Sequence, residues 1–121
     1  MLYFDYNKNY DNFGFRGTKL LKSDIYEVEN GYVIDIEMAG YKKEDIKLDF
    51  DKGYLTVTGK REKENKEYVH EEIYTGELSR TYYLGDKIDP EKISAKYENG
   101  ILSISLVNKE VVDNKKKIVI E

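Results

Sequence analysis

The chain contains no cysteine, and only one histidine and one proline. Without thiols it can form neither a disulfide framework nor a thiolate metal site, and His70 alone cannot supply the imidazole ligands of a zinc enzyme. Long apolar runs are missing too: no stretch approaches the roughly 18 residues needed to cross a bilayer, and the first residues lack the basic-then-apolar layout of a secretory signal. A cytoplasmic protein with no required membrane is expected. Positive charge is in deficit, with 20 Lys and Arg against 24 Asp and Glu and a net charge of -4. That is the wrong sign for a protein whose affinity comes from neutralising phosphates, so nucleic acid is not an expected partner. Gly31, Gly40, Gly53, Gly59, Gly76, Gly85 and Gly100 are scattered as turn residues and are not grouped as a phosphate cradle. No nucleophile has a base beside it, and nothing orients two carboxylates around a cleft. Enzyme activity, cofactor and metal are all unexpected.

What is present is a chain of 121 residues, 40% hydrophobic and 36% charged, which suits one domain with a modest core and a charged exterior. Residues 1–22 mix Tyr3, Phe4, Tyr6, Tyr10, Phe13 and Phe15 with Asn, Asp and Gly at no sustained period. They read as a weakly ordered, sticky arm or as an ordered first strand capping the body. From Asp24 onward, β-branched and aromatic residues recur with period two between turn signals, the pattern of half-buried strands.

Tyr26 and Val28 begin this body, Asn30-Gly31 supplies a positive-φ hairpin pair, and Tyr32, Ile34, Ile36 and Met38 share the next face. Charged residues 42–45 after Gly40 suit a loop or one helical turn. Ile46, Leu48 and Phe50 then alternate with Lys47, Asp49 and Asp51, and Lys52-Gly53 turns the chain toward Leu55 and Val57. Leu78, Tyr82 and Leu84 alternate again, with Arg80 at the same parity, an inward guanidinium that calls for a carboxylate partner. Ile93, Ala95 and Tyr97, and after Asn99-Gly100 also Leu102, Ile104 and Leu106, bring the total to about seven strands, as in a sandwich. Residues 60–72 are charged and almost free of apolar side chains before Tyr68 and Val69. They form either a solvated loop or the carrier of an eighth strand that pairs elsewhere. Past Leu106 a polar tether runs through Lys115, Lys116 and Lys117 to Ile118-Val119-Ile120-Glu121. Such a tip either adds a strand to its own sheet or docks on another surface.

The segment Ala95-Lys96-Tyr97-Glu98-Asn99-Gly100-Ile101-Leu102 carries an Ala, three residues, Asn-Gly, an aliphatic residue and Leu. With Gly40 and Lys42-Lys43-Glu44-Asp45-Ile46, Leu55-Thr56-Val57-Thr58-Gly59, residues 76–80 and the final Ile118-Val119-Ile120, it makes the chain resemble the small heat-shock proteins, residues 24–106 matching their α-crystallin domain. Three positions depart from that family's habit. Met38-Ala39-Gly40 stands for Leu-Pro-Gly, Gly85 for a Pro after Leu84, and Ile73 for an Arg after Glu72.

The resemblance implies an all-β, immunoglobulin-like antiparallel β-sandwich at 24–106, between a flexible aromatic-rich N-terminal arm at 1–23 and a C-terminal extension with an I-x-I motif at 107–121. It implies a homo-oligomer built from dimers, in which Glu67, Tyr68, Val69 and His70 of one subunit pair with the strand of Tyr26 and Val28 of the next. Ile118 and Ile120 would insert into a neighbouring groove lined by Ile46, Leu48, Phe50, Ile93 and Ala95. The implied activity is that of an ATP-independent holdase chaperone. It would bind partly unfolded proteins, with Tyr3, Phe4, Tyr6, Tyr10, Phe13 and Phe15 as a client-binding arm, and suppress their aggregation through reversible assembly. The rival is a p23-like co-chaperone or adaptor with one fixed partner, against which the I-x-I tail and the long pairing loop argue.

Overall fold

Alternating apolar and polar residues give each strand one face to bury, and two such faces stacked together make a core. The computed structural model describes residues 3–6, 21–110 and 118–121, the first four by their backbone. It contains β1 (Tyr3–Tyr6), β2 (Ser23–Val28), β3 (Gly31–Glu37), β4 (Ile46–Asp51), β5 (Tyr54–Arg61), β6 (Gly76–Tyr83), β7 (Ser94–Glu98) and β8 (Ile101–Val107). These form two four-stranded antiparallel sheets, ordered β1-β6-β5-β4 and β2-β3-β8-β7. Ile34, Ile36, Leu55, Val57, Leu78, Tyr82, Leu102, Ile104 and Leu106 meet between the sheets, and Leu21, Met38, Leu84 and Ile88 close the ends. The charged residues before β4 form a single 3-10 turn, Lys43–Asp45.

Two hairpins follow their turn signals: Lys52-Gly53 (φ 49 and 85) and Asn99-Gly100 (φ 52 and 77) are both left-handed pairs, whose twist matches that of the strands they join. The Asn30-Gly31 signal is displaced by one residue. Val28 faces Gly31 across the ladder, so Glu29 and Asn30 make the turn, and of the expected pair only Asn30 (φ 60) is left-handed. Gly31 already belongs to β3, where a Cβ would lie 1.9 Å from the Leu106 carbonyl oxygen.

The eighth strand also differs from expectation. Residues 62–75 form no strand within the chain. The extra strand is β1, which the flexible-arm reading of residues 1–23 did not provide and the first-strand alternative did. It lies against β6 with Tyr3 opposite Tyr83 and Tyr6 opposite Thr81. Four residues are too few to display a period, which is why the sequence pattern does not announce them.

Two arginines tie the layers together. Arg80 Nη1 donates to the Leu21 carbonyl at 2.8 Å and to Ser23 Oγ at 3.0 Å, and its guanidinium lies 5.2 Å from the Tyr82 ring centre. The Tyr82 hydroxyl meets Ser23 Oγ at 2.9 Å. Burial raises the Tyr82 pKa against the opposing pull of Ser23 and Arg80, so the phenol stays protonated. This cluster sets β6 over the start of β2 and leaves β4 and β7 together at the opposite side of the sandwich. Arg61, at the end of β5, donates from Nη1 to the Ala39 carbonyl at 2.7 Å and from Nη2 to the Tyr74 carbonyl at 2.5 Å, with Tyr41 beneath it at 4.8 Å. It thereby fastens both ends of the 62–75 loop to the body. Within the loop Lys63 pairs with Glu71 at 3.0 Å and lies 5.1 Å from the Tyr68 ring centre, while the Tyr68 hydroxyl donates to the Glu64 carbonyl at 3.1 Å.

Ile104 is fully buried at the centre of the core, so Ile104→Ala is expected to lower stability by about 2–5 kcal/mol in denaturant unfolding. Arg61→Ala leaves two carbonyls without their charged donor. It is expected to accelerate deuterium exchange across residues 62–75 while β3 and β8 keep their protection.

Candidate functional site

A strand with a neighbour on one side only keeps a free row of backbone donors and acceptors. Among the described residues β2 pairs with β3 alone, so its outer edge is such a row. Tyr26 and Val28 project from the outer face of that sheet, where the register puts Tyr26 beside Val33, and both are exposed. Glu67, Tyr68, Val69 and His70 stand apart on the loop. Their recorded contacts run to other loop residues, including His70 to Glu72 at 3.0 Å, and Val69 is as open to solvent as in an extended peptide, at 103%. The two halves of the expected strand exchange are therefore both uncovered and do not meet within one chain.

The expected groove residues lie on or beside β4 and β7, the last strands of the two sheets. Ile46, Leu48 and Phe50 of β4 and Ile93 just before β7 are half-buried against the core. Ala95 aligns with the buried Ile104 and yet is exposed, because nothing among the described residues overlies this edge. Tyr97 spans the gap: its hydroxyl donates to the Met38 carbonyl at 2.6 Å, with the Tyr41 carbonyl at 2.8 Å. Tyr97 thereby ties β7 to the segment that leads into β4.

Ile118 and Ile120 are 84% and 95% exposed, and residues 118–121 form no strand, so the tip does not extend its own sheet. Of the aromatic set, Tyr3, Phe4 and Tyr6 lie on β1, whereas Tyr10, Phe13 and Phe15 lie outside the described residues. The residues that sequence reasoning overlooked are the fasteners. Arg61 continues the inward parity of Leu55, Val57 and Gly59, the same signal that exposed Arg80 as an inward cation, while Ser23 and the hydroxyl of Tyr97 gave no signal of their own. Among the described residues no cluster of His, Asp or Glu is placed to hold a metal, and no helix is long and apolar enough to cross a membrane. Chemically the arrangement offers strand edges, partly buried apolar side chains along β4 and two exposed isoleucines.

Comparison with known proteins identifies the family. The Hsp20/alpha crystallin family model matches residues 24–121. The chain is 40% identical over 101 residues to a probable Hsp20 family chaperone of Onion yellows phytoplasma (strain OY-M), covering 80% of this chain and 74% of that protein. It is 35% identical over 103 residues to heat shock protein HSP.16.4 of Streptococcus thermophilus, covering 78% and 72%. Among solved structures, heat shock protein 16.0 from Schizosaccharomyces pombe superposes with a TM-score of 0.65 at 31% identity, over 83% of this chain and 82% of that one. A small heat-shock protein from Xylella fastidiosa with a distinct high-order structure does so with a TM-score of 0.73 at 26% identity, over 84% and 97%. With the family model spanning the sandwich and the tail, the chain belongs to the Hsp20/alpha-crystallin family of small heat-shock proteins, which are generally chaperones and not enzymes.

Proposed function

We propose that this protein is an ATP-independent holdase that keeps partly unfolded proteins from aggregating by assembling and disassembling its own apolar surfaces. The observation that carries the reading is that Ile118 and Ile120 are exposed while Ile46, Leu48, Phe50 and Ile93 are only partly buried along the β4 and β7 edges; a slot there, in this reading, takes the two isoleucines of another subunit. In an extended tail, side chains two residues apart face the same way, so both isoleucines enter one slot of a neighbouring dimer. Burying each contributes roughly 1.5–3 kcal/mol before the tail is ordered, which makes one contact weak. Several such contacts in one particle add through avidity. Assembly is then stable as a whole and labile contact by contact.

The dimer within this scheme uses the two uncovered halves described above. Glu67, Tyr68, Val69 and His70 of one subunit extend along the free edge of β2 in the other, satisfying its backbone groups. Heating or dilution opens slots and arms, which then cover apolar patches on damaged proteins, while the charged exterior keeps the complex dispersed. No nucleotide enters the cycle.

Purified protein is expected to suppress light scattering by a heated client without ATP. A monomer at micromolar concentration with no effect on scattering overturns the holdase reading. Deleting residues 118–121 is expected to reduce native mass toward that of a dimer, and unchanged particle size removes the tail from the scheme.

A further inference from the structure

Residues 62–75 contain neither helix nor strand, so no backbone ladder sets the shape of this loop and its side chains must. Arg61 fastens the two ends. The interior is organised around Lys63. Its Nζ pairs with Glu71 Oε2 at 3.0 Å, closing a ring between residues eight apart in the chain, and the same ammonium lies 5.1 Å from the centre of the Tyr68 ring. Tyr68 is held at its other end as well, since its hydroxyl donates to the Glu64 carbonyl. That carbonyl also accepts from the Lys66 N–H at 2.9 Å, in a tight turn. The Lys63 side chain is 23% exposed, whereas those of Glu62, Glu64, Lys66, His70, Glu71 and Glu72, the other ion-paired groups of the loop, are each more than half exposed. Exposed pairs add little singly. A covered cation that meets both a carboxylate and a ring adds more.

We infer that Lys63 is a positioning residue for self-association: by gathering Glu71 and Tyr68 onto one cation it keeps Glu67, Tyr68, Val69 and His70 shaped for a second copy of this chain before that copy arrives. This role rests on the strand exchange proposed above. A loop without regular structure loses conformational entropy when it docks, and whatever part of that loss the free chain has already taken no longer opposes association. The clasp occupies one side chain of the docking segment and presents the next, since Val69 beside Tyr68 is left wholly open. Charge gives Lys63 a second task. Glu62, Glu64, Glu67, Glu71 and Glu72 crowd the loop, with Lys63 and Lys66 alone among its Lys and Arg positions to offset them, and Lys66 pairs with Glu64 at 2.8 Å. Without the Lys63 cation, Glu71 and Glu72 on one leg of the loop repel Glu62 and Glu64 on the other, and the legs separate.

The whole chain tests it, by native mass spectrometry across a dilution series that reads the fraction of free monomer. Lys63→Met keeps the aliphatic stem and deletes the charge, Glu71→Gln deletes the partner, and Lys63→Arg keeps both contacts in kind. Lys63→Met is expected to raise the dissociation constant for monomer release about ten-fold and Glu71→Gln about three-fold, because the first loses an ion pair and a cation–ring contact and the second the pair alone. Lys63→Arg is expected to stay within about two-fold of the unaltered chain, and Lys63→Glu combined with Glu71→Lys to associate more tightly than Lys63→Glu alone. Deuterium exchange across residues 62–75 is expected to quicken in Lys63→Met while β3 and β8 keep their protection, which separates a loosened loop from a damaged fold. Equal monomer release by Lys63→Met and the unaltered chain overturns the positioning role. Tighter association does so too, since the clasp would then be a brake. Val69→Pro and His70→Pro, made singly, each remove a backbone donor from the docking segment. If either releases monomer while Lys63→Met does not, the strand exchange stands and the role of Lys63 falls. If neither does, the strand exchange falls and takes that role with it.

Discussion

An antiparallel sheet satisfies its inner strands and leaves each outer strand a row of N–H and C=O groups that must find partners elsewhere. Two open sheets have four such borders, and here each is handled in its own way. β1 lies along β6, thinly. Among the described residues β2 is bare beside exposed Tyr26 and Val28. β4 carries half-buried Ile46, Leu48 and Phe50, with Lys47, Asp49, Lys96 and Glu98 of β4 and β7 turned to solvent. Charges at such rims discourage indiscriminate edge-to-edge stacking.

The interior is consistent with that division. β3, β5, β6 and β8, the strands flanked on both sides, supply wholly enclosed residues, including Ile34, Val57, Tyr82 and Ile104. β2, β4 and β7 supply half-covered ones. Burial declines from the middle of each sheet toward β4 and β7, while the two arginines brace other margins. Arg80 and Tyr82 close one flank through Ser23, and Arg61 closes the mouth of the long loop. Guanidinium groups suit this task because they satisfy several carbonyls at once while their faces rest on tyrosine rings.

Much of this was legible in the residues. Period-two alternation identified the inward faces of β3, β5, β6 and β8 because each strand has one dry and one wet side, and Lys52-Gly53 and Asn99-Gly100 marked their hairpins because both turn residues must be left-handed. The half-buried side of β4, with Ile46, Leu48 and Phe50, followed from the same alternation, whereas a groove there was implied by the family resemblance alone. Illegible features depend on contacts between distant residues. The Gly31 hydrogen atom is required by a carbonyl on β8, which the local Asn30-Gly31 signal does not report, and β1 exists because β6 offers an edge, not because four residues encode a strand alone. Ser23 and the Tyr97 hydroxyl acquire their roles only when residues far apart in sequence are brought together.

Tyr97 carries a consequence of its own. Its hydroxyl reaches from β7 to the carbonyls of Met38 and Tyr41 in the segment that feeds β4, so a single rivet joins the margins of the two sheets. Margins braced in this way are set in advance, and in the scheme proposed above the entropy lost on docking would fall mainly on the incoming peptide.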